Sequence, residues 1–136
     1  MTPVQAQGVP AILEGKDLLA QAKTGSGKTA AFAIGILHKL KADTYVTQAL
    51  VLCPTRELAE QVSKEIRRLA RAIPNTNILT VCGGKPIGPQ LASLERNPHV
   101  IVGTPGRILK HLQKGSLKLD GLKILVLDEA DRMLDM

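Results

Sequence analysis

Two short stretches carry residue types that can bind and activate a phosphate ligand. The first, "AKTGSGKT" (Ala22–Thr29), lies between an apolar run and a helical pattern. Gly25 and Gly27 let the backbone turn its N–H groups toward phosphates, and the helix N-terminus adds positive potential. Lys28 is expected to reach the β- and γ-phosphates, and the Thr29 hydroxyl to help hold Mg²⁺. The stretch therefore predicts a phosphate-binding loop, although it begins with alanine where the common pattern has glycine.

The second stretch, "VLDEADRMLDM", follows the apolar run "LKILVL". An acid at the end of a strand is the expected Mg²⁺ partner in a phosphate-loop protein, and Asp128 fits that position. Glu129 could orient or deprotonate the attacking water. The alternative is that both carboxylates cap the last helix, because acids favour helix N-termini.

Polar and glycine residues also follow the other apolar runs, as in "PTREL", Gly83-Gly84 and "TPGR". Threonine and arginine side chains beside glycine and proline turns suit contact with nucleic-acid phosphates without reading base identity. Helix capping by Thr55 and solvated charge at Arg56 and Arg107 are the structural alternatives. The basic stripe, defined as Lys64, Arg67, Arg68 and Arg71, is interpreted as a solvated helix face.

The elements that position these residues alternate between strand and helix. Five continuous apolar runs, "DLLAQA", "QALVLC", "NILTVC", "HVIVG" and "KILVLD", predict buried strands of a parallel sheet. Between them lie helical patterns, such as the one in which Leu58, Val62, Ile66, Leu69 and Ile73 share a face. Further helices are predicted over "TPVQAQGVPAIL", "GKTAAFAIGILHKL", "PQLASLERN" and "GRILKHLQKG", the last ended by Gly115. This order predicts an α/β fold with a mainly parallel sheet and helices on both faces.

Composition supports this interpretation and excludes some alternatives. The 136 residues carry a net charge of +6, which suggests an anionic partner. One Phe, one Tyr and no Trp argue against recognition of bases by aromatic stacking. Cys53 and Cys82 have no metal-site spacing and are expected to be buried thiols. No apolar run approaches the roughly 18 residues of a membrane span, so we expect a soluble, cytoplasmic protein without a membrane partner.

Taken in order, "TPVQ", "AKTGSGKT", "PTREL", Gly83-Gly84, "TPGR" and "DEAD" resemble the motifs of the DEAD-box RNA helicases. The resemblance covers essentially the whole chain. Segments such as "RRLARAIPNTNILTVCGG" and "TPGRILKHLQKG" are similar to a bacterial, ribosomal-RNA-directed branch of that family. It implies a P-loop NTPase (RecA-like) fold, ATP and Mg²⁺ as cofactors, and RNA, in this branch ribosomal RNA, as partner.

The resemblance also implies roles for individual residues. Gln5, with Thr2 nearby, would read the adenine, and Asp131 would couple the site to a partner domain. The triphosphate would lie against the loop Ala22, Lys23, Thr24, Gly25, Ser26, Gly27, Lys28 and Thr29. Lys28, Asp128 and Glu129 would be catalytic, with Thr29 and Asp128 at the metal. The RNA backbone would contact Pro54, Thr55, Arg56, Gly84, Thr104, Pro105, Gly106 and Arg107.

Parts of the family pattern are absent from the 136 residues. They are an aromatic before the glutamine motif, the Ser-Ala-Thr strand, and the second RecA-like domain with its arginine finger. We therefore expect residues 1–136 to be a C-terminally truncated, partial N-terminal RecA-like domain with little activity alone. The Ser-Ala-Thr strand is expected to be missing from between the phosphate-loop strand and the acid strand. The alternatives are a non-catalytic module that binds nucleotide or RNA, and another phosphate-loop ATPase such as a DNA-directed motor.

Overall fold

The computed structural model describes residues 18–20, 26–73, 75–84 and 86–129, and for residues 18–20, 26–30 and 32 it describes the backbone. This part of the chain forms five strands and four helices. The strands are β1 (Leu18–Ala20), β2 (Ala49–Leu52), β3 (Ile78–Val81), β4 (Val100–Gly103) and β5 (Ile124–Asp128). The helices are α1 (Ser26–Lys39), α2 (Arg56–Ala70), α3 (Ile87–Leu94) and α4 (Pro105–Lys114). The helices predicted for "TPVQAQGVPAIL" and after "DEAD" lie outside the described residues.

The strands form one sheet in the order β1-β5-β2-β4-β3, and every pairing in it is parallel. The predicted α/β class with a parallel sheet is therefore confirmed. β1 pairs directly with β5, with Leu18 opposite Val126 and Ala20 opposite Asp128. In the described sheet, no strand separates the phosphate-loop strand from the acid strand, and the two pair directly where the resemblance implied a Ser-Ala-Thr strand. The two strands instead supply each other with the backbone hydrogen-bond partners that buried peptide groups require.

Helices cover both faces of the sheet, because the central strands are apolar on both sides. In β2, Ala49 and Val51 belong to a core that includes residues of α1 and α2. Leu50, between them, belongs to a second core with Leu94 of α3 and Ile108 of α4. Alternation of side chains along each strand therefore divides the apolar residues between two cores.

Helix α2 has the predicted amphipathic pattern. Leu58, Val62 and Ile66 are buried, and Leu69 and Ile73 pack at the margin of the same core. The helix ends at Ala70, so Ile73 makes this contact from the turn that follows. Periodicity predicted the buried face correctly and placed the helix end a few residues too late.

Glycine and proline explain where α4 ends and where α3 begins. Gly115 has a φ of 74° and its N–H bonds to the last carbonyls of α4, as the sequence predicted for a C-terminal glycine. Helix α3 begins at Ile87, earlier than the predicted start at Pro89. Proline fits there because N–H groups in the first turn of a helix have no intrahelical partner.

Cys53 and Cys82 are both buried, as expected for structural thiols. Among the described residues, no helix has the length and apolar character needed to cross a membrane. The same residues contain no cluster of three or more histidine, cysteine or acidic side chains suited to a metal ion.

Candidate functional site

The candidate site lies along the carboxyl edge, by which we mean the ends of the strands at Ala20, Leu52, Val81, Gly103 and Asp128. In an open parallel sheet, ligands bind beyond these ends. The strand order places the β1 and β5 ends together on one side, and the β2, β4 and β3 ends together on the other. The predicted phosphate loop and acids follow the first pair. The predicted RNA-contact residues follow the other three strands.

The phosphate-loop half is described in part. Ser26, Gly27, Lys28 and Thr29 form the first turn of α1, directly after the glycine-containing segment, as a phosphate-binding loop requires. Helix α1 has no acidic residue in its first turn, which leaves its positive end uncompensated by its own sequence. The remaining predicted residues of this half lie outside the described residues: Thr2, Gln5, Ala22, Lys23, Thr24, Gly25 and Asp131.

Asp128 ends β5, opposite Ala20, the last residue of β1. In the sequence, the predicted phosphate loop begins two residues after Ala20. The Asp128 side chain is fully buried, which is rare for a carboxylate. Glu129 is 8% exposed and has a φ of 54°, so the chain turns sharply away from the strand at this residue. A left-handed conformation is unfavourable for glutamate and must be held by the surrounding structure.

These acids fit Mg²⁺ by their chemistry. Magnesium prefers oxygen ligands and is bound in nucleotide sites by one or two carboxylates together with substrate phosphates. A single buried carboxylate opposite the end of β1 can supply such a ligand, and a larger cluster of ligands is not needed. Asp128 is therefore a suitable metal residue, and Glu129 lies next to it in sequence.

The β2 end supplies Pro54, Thr55 and Arg56. Thr55 is the N-cap of α2, and its Oγ1 accepts a hydrogen bond of 3.2 Å from the Leu58 N–H. The structural alternative considered for Thr55 is therefore present. It does not exclude phosphate contact, because the hydroxyl that accepts this bond can still donate its own hydrogen. Arg56 is exposed, and its Nε lies 3.9 Å from an Oε1 of Glu60.

The β3 end turns through Gly83 and Gly84. Gly84 has a φ of 83°, which glycine adopts at little cost. A β-carbon at this position would lie 3.4 Å from Nη1 of Arg56, so the Arg56 guanidinium reaches across to this turn. The N–H of Gly83 bonds to Oγ1 of Thr104 at 3.3 Å. The three predicted RNA-contact turns are therefore connected to one another.

The β4 end continues directly into α4. Thr104 is the N-cap and Pro105 occupies the first turn, where proline is favoured. Gly103 allows close packing here, because a β-carbon on it would lie 2.4 Å from the Val81 carbonyl oxygen. Gly106 is exposed, and Arg107 is half-buried with its Nη1 3.2 Å from Oε1 of Gln90.

Gln90 and His111 were not identified from the sequence. Both are buried behind the Thr104–Arg107 turn, and Nε2 of His111 lies 3.0 Å from Oε1 of Gln90. Burial lowers the pKa of His111 below its ordinary value, and the positive charges of Arg107, Lys114 and Lys110 lower this pKa further. The only sequence signal was that Arg107 and His111 are four residues apart, which places them on one helix face.

The basic stripe has the character of a solvated face. All four of its side chains are exposed. Arg67 Nη2 bonds to the Ile78 carbonyl at 3.2 Å and to Thr80 Oγ1 at 3.1 Å, so it supports the edge strand β3. Arg68 pairs with Glu65 on the same helix, and a side-chain hydrogen bond from Arg68 lowers the pKa of Glu65.

Comparison with known proteins places this geometry in a family. The sequence profile of the DEAD/DEAH box helicases matches residues 2–136. The chain belongs to the DEAD/DEAH box helicase family. It is 67% identical over 136 residues to the ATP-dependent RNA helicase DbpA of Escherichia coli K12. It is 51% identical over 135 residues to the ATP-dependent RNA helicase CshA of Listeria monocytogenes. The family predicted from the motifs, including the similarity to a bacterial member, is confirmed.

Solved structures agree with the family assignment. A DEAD box protein from the hyperthermophile Methanococcus jannaschii superposes with a TM-score of 0.87 at 45% identity over 98% of this chain. A hypothetical ATP-dependent RNA helicase from Sulfolobus tokodaii gives a TM-score of 0.85 at 42% identity over 99% of this chain. These relatives confirm the RecA-like fold.

The chain spans a minor part of each of these proteins. It covers 30% of DbpA and 26% of CshA. It covers 36% of the Methanococcus jannaschii chain and 38% of the Sulfolobus tokodaii chain.

Proposed function

We propose that residues 1–136 form the part of an ATP-dependent RNA helicase that binds ATP and one face of the RNA backbone. ATP lies at the β1–β5 side of the carboxyl edge, and RNA crosses the ends of β2, β4 and β3. The observation that supports the proposal is the strand order: β1 and β5, which in sequence precede the predicted phosphate loop and acids, are neighbours, and β2, β4 and β3, which precede the predicted RNA motifs, are neighbours.

In the ATP half, the first turn of α1 directs backbone N–H groups toward the phosphates, and Lys28 adds a positive charge. Gln5 and Thr2 select adenine, as the family pattern implies. Asp128 and Thr29 would hold Mg²⁺, which would neutralise charge on the phosphates. Glu129 orients the attacking water, and Asp131 couples the site to a second RecA-like domain.

In the RNA half, Thr55 and Thr104 each accept a backbone N–H, at Leu58 and Gly83 respectively, and keep a hydroxyl hydrogen for a phosphate. Arg56, which reaches the Gly84 turn, and Arg107, which follows β4, add positive charge to this half. This half contains no aromatic side chain within its three turns, so contact with the sugar–phosphate backbone is favoured over base stacking. Affinity should therefore fall as salt rises.

Hydrolysis coupled to duplex unwinding is proposed for the whole protein of which this chain has the N-terminal motifs. The relatives that support this are named ATP-dependent RNA helicases. A ribosomal RNA partner, a role in ribosome assembly and a cytoplasmic location remain predictions of the sequence resemblance.

Two matched variants test the assignment of the two halves. Lys28→Ala is expected to lower affinity for a fluorescent ATP analogue by about tenfold or more, since it removes a charge-assisted contact to phosphate. Its affinity for a labelled ten-nucleotide single-stranded RNA should stay near wild type in the absence of nucleotide. Arg107→Gln should give the reverse pattern. Loss of both affinities in both variants, with folding intact, would contradict the assignment.

The same proteins distinguish an enzyme from a non-catalytic module. Phosphate release that is present in the wild-type chain and absent in Lys28→Ala supports hydrolysis at this site. Equal, background-level release from both proteins supports the non-catalytic alternative for residues 1–136.

A further inference from the structure

Gln90 lies where two of the RNA-contact turns meet. It is the fourth residue of α3 and is 7% exposed. Its Nε2 donates to the Cys82 carbonyl, immediately before the Gly83–Gly84 turn, at 3.0 Å. The orientation of the amide is fixed, because a carbonyl oxygen can only accept a hydrogen bond. The Gln90 Oε1 therefore faces α4.

That oxygen receives two hydrogen bonds from one face of α4. Arg107 Nη1 lies 3.2 Å from it and His111 Nε2 lies 3.0 Å from it. Since Oε1 accepts only, the hydrogen of the His111 ring is on Nε2. His111 Nδ1 is then an acceptor for the Ser116 hydroxyl, whose oxygen lies 2.8 Å from Nδ1 and 3.1 Å from the His111 carbonyl oxygen, so these two acceptors share its one hydrogen. Ser116 thus holds the His111 ring on the side opposite Gln90.

These contacts connect the β3 turn with the guanidinium group of the β4 turn. The chain of hydrogen bonds runs from Cys82 through the Gln90 amide to Arg107. The Thr104–Gly83 bond joins the same two turns nearer the strand ends. A long, exposed arginine loses rotamer freedom when it binds a phosphate, and an arginine already held in place loses less.

We propose that Gln90 is a positioning residue for RNA binding: it holds the Arg107 guanidinium and the Gly83–Gly84 turn in the arrangement that meets the RNA backbone. His111 and Ser116 support it by fixing the acceptor oxygen. The inference rests on the proposed function, because it requires Arg107 to contact RNA.

The alternative is that Gln90 only stabilises the fold, as a buried glutamine can. The chain offers a matched control in Gln48, which is 3% exposed. Gln48 Oε1 accepts from the Lys41 N–H at 2.9 Å, and its Nε2 donates to the Lys41 and Thr44 carbonyls at 2.9 and 3.0 Å. It makes as many hydrogen bonds as Gln90, at the opposite end of the sheet from the RNA half.

The test is a double-mutant cycle in residues 1–136, measured as anisotropy of a fluorescein-labelled ten-nucleotide oligouridine. Gln90→Met removes the amide at nearly constant volume and should weaken RNA binding about 3- to 10-fold, the range expected when one rotamer-rich side chain must be ordered on binding. In an Arg107→Gln background the same substitution should have no further effect, because the residue it positions is gone. Gln48→Met should leave RNA affinity within about twofold of wild type.

Any other outcome contradicts either the positioning role of Gln90 or the proposed contact of Arg107 with RNA. An equal loss from Gln90→Met in both backgrounds shows a general structural effect and overturns positioning. A loss from Arg107→Gln with none from Gln90→Met also overturns it. If Arg107→Gln itself has no effect, the proposed RNA half is wrong, which is a distinct failure. Should Gln90→Met fail to fold, Gln90→Ala, which leaves room for water to reach the orphaned groups, enters the same cycle.

Discussion

The two ends of the sheet each bury a glutamine and a histidine, and the partners of these side chains differ. At the amino edge, by which we mean the residues that precede β2, β3, β4 and β5, Gln48 bonds to backbone groups of residues 41 and 44. His99 accepts from the Asn77 N–H at 3.1 Å and lies 3.0 Å from the Ala42 carbonyl. At the carboxyl edge, Gln90 Oε1 bonds to both His111 and Arg107.

This difference shows that the buried polar side chains have different roles at the two edges of the sheet. At the amino edge the side chains complete the hydrogen bonds of loops, and their polar atoms are used within the fold. Thr47 continues the pattern, with its hydroxyl 2.8 Å from the Pro98 carbonyl. At the carboxyl edge, buried groups instead support an arginine that reaches the surface. Buried polar residues therefore serve the loops at one edge, and at the other they hold an arginine of the proposed RNA half.

The largest expected effect compares glycines at the two edges. Gly103→Ala would place a β-carbon 2.4 Å from the Val81 carbonyl oxygen and 2.8 Å from Ile108 Cδ1. Because backbone cannot move aside easily, we expect a loss of about 3 kcal/mol in the free energy of unfolding, measured by urea titration.

Gly121→Ala at the amino edge meets the end of the exposed Val46 side chain at 2.8 Å. That side chain can rotate, so the loss should be about 1 kcal/mol or less. Gly88→Ala, with open space around it in α3, serves as control and should be neutral or stabilising by about 0.5 kcal/mol. Equal losses at Gly103 and Gly121 would contradict the contrast between the edges.

The next effect compares the two buried glutamines. Gln48→Met and Gln90→Met each leave buried donors and acceptors without their partner, so each should lower the free energy of unfolding by about 2 kcal/mol. Thermal melts or urea titrations measure this loss. The edges are distinguished by function: RNA affinity should fall in the Gln90 variant alone. A Gln48 variant that binds RNA as poorly as the Gln90 variant would remove the distinction.

The pH dependence of stability should report on His111. Its pKa is lowered in the folded protein, first by burial and then by Arg107, Lys114 and Lys110. The unfolded chain therefore takes up a proton first as pH falls below about 6.5, and the folded state loses stability from that point. One proton contributes at most about 1.4 kcal/mol per pH unit.

His111→Gln should reduce this pH dependence, while the difference between variant and wild type stays constant above about pH 7.5. Urea titrations at pH 8.0, 7.0, 6.0 and 5.5, values chosen on either side of about 6.5, measure both proteins. Parallel curves for wild type and His111→Gln across this range would show that another group is responsible.

The smallest effect is expected in the basic stripe. Arg71→Gln makes the same change of charge as Arg107→Gln, on an exposed residue after α2. We expect it to change RNA affinity by less than about twofold at physiological salt, since exposed charges beyond about 8 Å are screened. Arg107→Gln should instead lower the salt dependence of binding by about 0.7, the value for one phosphate contact to a single strand. A similar change in both variants would mean that net charge, rather than a placed arginine, governs binding.

Features that depend on local chemistry were predictable from the sequence. The five strands are continuous apolar runs, Gly115 ends α4 in the left-handed conformation, and Leu58, Val62 and Ile66 share a helix face. The position of "PTREL" and "TPGR" directly after strands was predictable for the same reason, since both follow strand-like runs. Each of these features depends on residues that lie only a few positions apart in the sequence.

Features that depend on long-range contacts were not predictable. Gln90 and Gln61 are both glutamines in helices, yet Gln90 is buried and Gln61 is exposed. The difference comes from Arg107 and His111, which lie 17 and 21 residues away. The direct pairing of β1 with β5 was also missed, because hydrogen bonding between strands carries no signal in the sequence of either one. The roles of Gln5, the phosphate loop and Asp131 in nucleotide binding and domain coupling stay predictions of the sequence resemblance.

The parallel sheet has one further consequence for the proposed RNA half. Adjacent strands lie about 4.8 Å apart, so the turns after β2, β4 and β3 follow one another at fixed intervals on a line perpendicular to the strands. The spacing of the strands would therefore set the spacing at which these turns meet the phosphates of a bound RNA strand. Inserting one residue into β4 would move Thr104–Arg107 by about 3.3 Å along the strand and turn these residues to the other face of the sheet. The turn after β4 would then no longer be in line with the turns after β2 and β3.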